Sequence, residues 1–384
     1  MNKHNTPPPG SPFPRLRSGL CLLAGLAITA SATARDALQE PALLSPLATQ
    51  SLLLDMERAG ERLIAVGERG HILLSADEAE SWQQAPAPVR VTLTNVFFID
   101  DQYGWAVGHD GVILKSEDGG NNWRKVMDGI QANQLMLEHA ETRLSEFEAE
   151  FNRAPAKQQA AMEAELQDRT YMAQDAAAFA EEGPSRPFLD IWFKNRDEGI
   201  AVGAFGLILH TRDGGEHWSA WFDHLDNPSL LHLNAITQIG EHLFMAAEAG
   251  NLFRSDDWGE SWETLMSPYD GSFFGITGTD QGRLIAYGLR GNAYQSTDWG
   301  DNWKTIDTGV DSTFFSGTLL EDDSVMLVGA AGTALQIDSR GRVINTHQHP
   351  ARLPQSKVLP GQGNSVLIAG AHGVRKAPVS GGTQ

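Results

Sequence analysis

One eight-residue turn is written five times along this chain, and its spacing constrains the fold more than any other feature. The clearest copy runs Ser116-Glu117-Asp118-Gly119-Gly120-Asn121-Asn122-Trp123. Residues 211–218 (TRDGGEHW), 255–262 (SDDWGESW) and 296–303 (STDWGDNW) repeat it, and 75–82 (SADEAESW) is a worn copy with Ala79 in place of glycine. The pattern is an Asp-box. Short polar residues in turns accept local backbone N–H bonds. Asp118, Asp213, Asp257 and Asp298 are therefore read as turn anchors, and Trp123, Trp218, Trp262 and Trp303 as side chains packed between repeats.

A second landmark fixes the period. Each turn follows an apolar run that ends in Gly-x-x-Gly. The first positions are Gly67, Gly108, Gly203, Ala247 (in place of glycine), Gly288, Gly329 and Gly370, spaced 41, 95, 44, 41, 41 and 41. The 95 is one period plus an insertion of 54 residues. Within a unit, short β-branched and aromatic runs are punctuated by Gly, Asp and Asn. Residues 94–99, 104–108, 112–115 and 123–126 are four such runs. Four strands per unit and seven units predict an all-β chain, a seven-bladed β-propeller over residues 42–380.

A propeller must join its last blade to its first or leave an open edge. The last unit supplies only three strands, so residues 42–47 are expected to add the outer strand of blade 7. Pro46 suits an edge position, where a missing N–H is tolerated.

Residues 131–182 change character: glycine disappears and Ala, Glu, Gln, Leu and Met dominate. Leu137, Ala140, Leu144, Phe147 and Phe151 recur at spacings of 3 and 4, and Met162, Leu166, Ala173, Ala177 and Ala180 form a second stripe beyond Pro155. This predicts a helical hairpin between blades 2 and 3, buried on its own stripes and projecting from the ring. Its insertion point puts it on the same face as the Gly-x-x-Gly loops and opposite the Asp-boxes. A docking arm for another protein is the functional reading.

Residues 1–34 read as a secretory signal: Arg15 and Arg17 flank an apolar run at 19–30, and Ala32-Thr33-Ala34 is a small-x-small site. The expectation is export to a periplasm, with the single cysteine, Cys21, removed. Without that segment, 26 basic residues face 49 acidic ones. Such a balance disfavours nucleic acid and anionic membrane as partners, and no direct membrane insertion is expected.

The two middle residues of the Gly-x-x-Gly loops vary while the turn persists. That is how a recognition rim on a rigid ring would look. Glu68, Arg69, His109, Asp110, Phe205, Glu248, Arg290 and His372 are the candidate partner-binding residues. Arg69 and Arg290 can hold carboxylates, and Phe205 is an apolar anchor. Thirteen residues before each landmark lies another ring, Leu54, Asn95, Asp190, Asn234, Gly275, Ser316 and Lys357, expected to line a wet central channel. No HExxH, GxSxG or Walker A pattern occurs. No catalytic residues, metal or cofactor are therefore expected, and the protein is expected to be monomeric on its own.

The recurrent Ala-Val-Gly-x-x-Gly-x-Ile-Leu at 106–114 and 201–209, each followed by an Asp-box, resembles the photosystem II stability/assembly factor family. The resemblance implies a seven-bladed Asp-box propeller acting as a non-catalytic assembly chaperone. It also implies an arginine patch facing a membrane-protein partner, with Arg69 and Arg290 at positions where such arginines could be. For an exported chain the implied partner is a membrane protein or envelope complex, with a transport or export system included. Two alternatives are a carbohydrate- or peptide-binding propeller and a sialidase-like glycoside hydrolase. The latter would need Tyr269, beside Asp270, on the recognition face.

Overall fold

The computed structural model describes residues 36–379. The expected signal at 1–34, with Cys21, and residue 380 lie outside the described residues. Each repeat forms one antiparallel sheet whose strands follow chain order. Among the described residues there are seven such sheets, six of four strands and one of three. Blade 1 comprises Leu53–Ala59, Arg62–Gly67, Ile72–Ser75 and Gln83–Ala85. The first strands of the blades neighbour one another around the ring, and the seventh, Gln355–Pro360, returns to Leu53–Ala59.

The packing follows from the sequence. A blade's second strand has neighbours on both faces, so it must be apolar throughout rather than alternating. Gly104–Gly108 in blade 2 and Val325–Gly329 in blade 6 are buried at every position. Seven apolar clusters fill the seven seams between adjacent blades. The one between blades 7 and 1 unites Leu367 and Ala369 with Leu53, Leu63 and Leu73.

Closure differs from the sequence expectation. Residues 42–47 form no strand of blade 7, which keeps three strands: Gln355–Pro360, Ser365–Gly370 and Gly373–Pro378. The segment runs instead beside the outer strand of blade 1. There the Ala42 N–H bonds the Ala87 carbonyl at 3.0 Å and the Ser45 N–H bonds Gln84 Oε1 at 2.8 Å. Buried Ala42 and Leu38 join the cluster between blades 1 and 2. Burial of these two side chains, rather than pairing with a distant edge, decides where the segment lies. The ring closes through the apolar seam, the Gly373 N–H to Ser51 carbonyl bond at 3.0 Å and a Lys357–Asp55 ion pair at 2.7 Å.

The insertion is two helices, α1 (Gly129–Arg153) and α2 (Ala156–Glu182). α1 starts two residues earlier than its composition suggests, because Asp128 and Gln131 form a reciprocal capping box. The two helices pack against each other, yet the hairpin does not bury only itself. Ala132 and Met136 enter the cluster between blades 2 and 3. His139 and Arg143 reach Asp223 on blade 3 at 3.1 and 3.0 Å. The predicted stripe residues Leu137, Leu144 and Phe151 are only half-buried.

Candidate functional site

The two faces of the ring are built differently. On one, each Asp-box closes on itself. Asp118 Oδ1 accepts the Asn122 N–H at 2.9 Å and the Ser116 hydroxyl at 3.0 Å, while Ser116 Oγ accepts the Gly120 N–H at 2.9 Å. Asp213, Asp257, Asp298 and Asp77 make the same bonds. Hydrogen bonds from the Asn302 side chain and backbone hold the Asp298 carboxyl below its usual range.

The previous blade then clasps four of the five boxes. Arg62 bonds the Gly119 carbonyl, Trp105 Nε1 the Gly214 carbonyl, Trp221 Nε1 the Gly259 carbonyl and Arg254 the Trp299 carbonyl, all at 2.8–3.0 Å. Trp123 and Trp218 are buried, with Nε1 bonded to the carbonyls of Gly120 and Gly215; Trp262 and Trp303 are half-buried in their seams. These residues form a scaffold: in each box the aspartate and the first Ser or Thr hydroxyl are bonded to each other, although Nε1 of Trp262 and of Trp303 is buried without a partner.

The opposite face carries the Gly-x-x-Gly loops. In six of them the second middle residue is left-handed: Arg69, Asp110, Phe205, Ala249, Arg290 and Ala331 have φ between 52° and 59°. Such a conformation costs a non-glycine residue about 1–2 kcal/mol. The backbone twist turns these side chains out of the sheet onto the rim. Arg69 and Arg290 are exposed there, and Phe205 is 45% exposed. His109 and His372 are exposed as well. Burial pushes the Asp110 carboxyl up, with His109 opposing. Glu68 and Glu248 are less free. Each accepts the N–H that leads into its own blade, from Leu52 at 3.1 Å and His232 at 3.0 Å.

The hairpin is rooted among these loops. Buried Asn133 of α1 donates to the Phe179 and Gly183 carbonyls, both at 2.8 Å. Its Oδ1 accepts from Arg186 at 2.7 and 3.1 Å. The Arg186 guanidinium lies 4.1 Å from the Phe179 ring centre and reaches the Phe205 carbonyl at 3.5 Å. Burial lowers its pKa to about 10. Phe205 in turn meets Phe179 of α2 at 5.7 Å and His232 at 4.6 Å between ring centres. The rim of blade 3 and the hairpin base are one packed unit.

The central channel encloses a cavity of about 450 Å³ lined by the first strands. The thirteen-residue count needs correction in two blades. Asp55 and Ala235, rather than Leu54 and Asn234, take the register position held by Asn95, Asp190, Gly275, Ser316 and Lys357. Blades 1 and 4 close their first hairpin with tight turns at Gly60–Glu61 and Gly240–Glu241, which moves the register by one residue.

The channel's polar groups stitch neighbouring blades. Asp55 accepts the Val96 N–H, Asp190 the Ile236 N–H and Ser316 the Val358 N–H. Thr94 donates to the Phe188 carbonyl, Asn234 to Phe273 and Ser356 to Leu53. Tyr287 bonds the backbone of Gly317, and burial pushes its hydroxyl up to about 12. Each seam thus has at least one polar stitch. Burial drives Asp190 up to about 7. Tyr269 is also structural: its ring packs on Phe273 and Tyr294, and its hydroxyl donates to the Leu289 carbonyl at 3.3 Å.

Sequence reasoning missed Asn133 and Arg186, because a lone Asn in a helix and an Arg before Pro carry no pattern. It missed Asp55 because a fixed count cannot register a tighter turn.

Comparison with known proteins agrees with this architecture. The chain is 22% identical over 227 residues to the photosystem II assembly lipoprotein Ycf48 of Synechococcus sp. strain CC9902, covering 58% of this chain and 52% of that protein. It therefore spans about half the length of that curated relative. Among solved structures, YCF48 bound to D1 peptide superposes with a TM-score of 0.58 at 17% identity, covering 88% of this chain and 99% of that one. YCF48 from Cyanidioschyzon merolae gives 0.57 at 15% identity, covering 86% and 96%. The model for the family described as photosynthesis system II assembly factor YCF48 matches residues 30–148 and 174–356. With the family model covering most of the ring, the chain belongs to the YCF48 assembly-factor family.

Proposed function

We propose that this protein is an exported, non-catalytic scaffold that binds a segment of a membrane protein through its loop face and hairpin base. One observation carries the reading. Arg69, Phe205 and Arg290 stand on the rim in a strained, left-handed conformation, with no hydrogen bond from either arginine head group to the described residues. Large side chains held at a conformational cost, on a rigid ring, suit recognition of another molecule. A solved relative bound to D1 peptide supports a peptide segment as the kind of partner. The acidic total and the assembly-factor family support a protein partner over a nucleic acid or a lipid surface.

The test is affinity capture from detergent-solubilised cell envelope by the intact protein and by a triple variant, Arg69→Ala, Phe205→Ala and Arg290→Ala. The variant should fold, with a melting midpoint lowered by no more than a few degrees, and lose about tenfold or more of partner recovery. Equal recovery would refute the loop face as the contact. Export is tested separately: the protein recovered from the periplasmic fraction should begin at Arg35, and full-length protein confined to the cytoplasm would contradict it. Turnover of sialosides or aryl glycosides by purified protein would contradict the non-catalytic reading.

A further inference from the structure

Blade 7 breaks the packing rule that the other six obey. At the pair closing the inner two strands, the inner residue is Leu53, Leu93, Phe188, Leu233, Phe273 or Phe314 in blades 1 to 6, each fully buried. Blade 7 has Gln355 there, 3% exposed, and neither its Oε1 nor its Nε2 has a hydrogen-bond partner. A second position departs in the same way. The third-strand residue opposite the middle of the second strand is Leu73, Leu114, Leu209, Phe253, Tyr294 or Leu335 in blades 1 to 6, none more than 5% exposed. In blade 7 it is Arg375. Cross-strand pairing puts both on one side of the sheet, the side facing blade 6.

Both residues line a cavity of about 350 Å³ at the seam between blades 6 and 7. Its other walls are mainly apolar, among them Leu353, Pro354, Ile368 and Ala371, with His349 and His372 at the rim. The Arg375 guanidinium faces no carboxylate among the described residues, and one of its nitrogens is buried without a partner. Burial lowers its pKa. Among the described residues no fourth strand flanks Gly373–Pro378.

A buried amide with both of its functions unmet is costly, and replacement by leucine would remove that cost. Two such departures in one cavity, at positions filled with apolar side chains six times over, mark a site made for a ligand. We infer that the blade 6–7 seam binds the C-terminus of a peptide: Arg375 takes the terminal carboxylate, Gln355 exchanges hydrogen bonds with the last peptide unit, and the apolar wall receives the last side chain. A guanidinium fork matches a carboxylate in two bonds. Gln355 Oε1 needs a donor, which a peptide N–H supplies and an isolated carboxylate does not. Capture of a chain terminus by a few convergent polar groups is an established mode of peptide recognition. The site adds to the loop-face reading without resting on it, since neither Gln355 nor Arg375 is on the rim.

The experiment titrates the full protein with N-acetylated Gly-Ser-Ala-X peptides, where X is Ala, Val, Leu or Phe, by fluorescence polarisation or calorimetry. Each is paired with its C-terminal amide, and N-acetyl-leucine serves as a free small carboxylate. At least one free acid should saturate at millimolar concentration or below, and its amide should bind about tenfold more weakly or worse. Arg375→Leu should abolish the difference, Gln355→Leu should weaken acid and amide alike, and each should raise the melting midpoint, because they restore the pattern of the other blades. The rim triple variant should bind the peptides normally, which separates failure of this site from failure of the loop face. No saturation by any peptide, equal binding of acid and amide, or unchanged binding by Gln355→Leu would each overturn the proposal. N-acetyl-leucine binding as tightly as the best peptide would overturn the peptide part and leave a site for a free carboxylate. Should the variants fail to fold, the acid–amide comparison on the native protein still decides.

Discussion

The Asp-box face and the loop face are built from the same repeats, yet they solve opposite problems. Five boxes differ little in sequence, and each turns its aspartate inward onto its own backbone. Six loops share one backbone conformation while their outward side chains differ from blade to blade. A turn whose anchoring side chains are engaged with itself is free to vary there only at the cost of stability. A turn held mainly by its backbone leaves most of its side chains open to selection for contact. Changes on the loop face should therefore alter contact, and changes on the Asp-box face should alter stability.

The largest effect should come from Trp105→Ala. Trp105 is fully buried, stacks on Phe193 at 3.4 Å and bonds the box of the next blade. Loss of about 3–5 kcal/mol in denaturant unfolding is expected, whereas Phe205→Ala on the rim should cost about 1 kcal/mol or less. Comparable losses would dissolve the contrast between the faces. Next is Asn133→Ala, at about 2–3 kcal/mol, because it strips the buried Arg186 of its acceptor. Hydrogen exchange should show the base of α1 and the Phe205 loop loosening together; exchange confined to the hairpin would show that the two are uncoupled.

The channel lies between the faces and adds a pH dependence. The Asp190 carboxyl is raised from 3.8 to about 7. The folded protein thus holds this proton more tightly than the unfolded chain, and the group's contribution to stability falls as pH rises from about 4 to about 7. Asp190→Asn should raise the melting midpoint at pH 8 and leave it nearly unchanged at pH 4.5. The Asn oxygen can still accept the Ile236 N–H, so the effect should stay within about 1–2 kcal/mol. An equal shift at both pH values would locate the effect elsewhere.

The smallest predicted change sharpens the comparison most. Ala79 sits at φ 69° where the other boxes have glycine at 84–95°. Ala79→Gly should stabilise blade 1 by roughly 0.5–1 kcal/mol, read as a rise in denaturation midpoint. Destabilisation would mean that the Ala79 methyl, packed in the seam with blade 7, outweighs its backbone strain.

Much of the fold could be read from the chain because its signals are local and repeated. Gly-x-x-Gly and the Asp-box are turn chemistry, and turn chemistry depends on a few adjacent residues. The hairpin was legible from its loss of glycine and its 3–4 spacing. Its docking was not, since Ala132 and Met136 look like any apolar helix residues until blade 3 lies beside them. Residues 42–47 had strand-like composition, but their place was set by Leu38 and Ala42 finding a seam in blade 1. Arg69, Phe205 and Arg290 could be named from sequence, while their left-handed backbone could not.

The number of blades, the box geometry and the identity of the rim residues were determined by sequence alone, because each follows from short-range spacing. Tertiary structure decided which register each channel residue takes, where the N-terminal segment lies and that Gln355 and Arg375 meet in one seam. Those outcomes depend on contacts between residues far apart in the chain, and a local pattern carries no record of what will be packed against it.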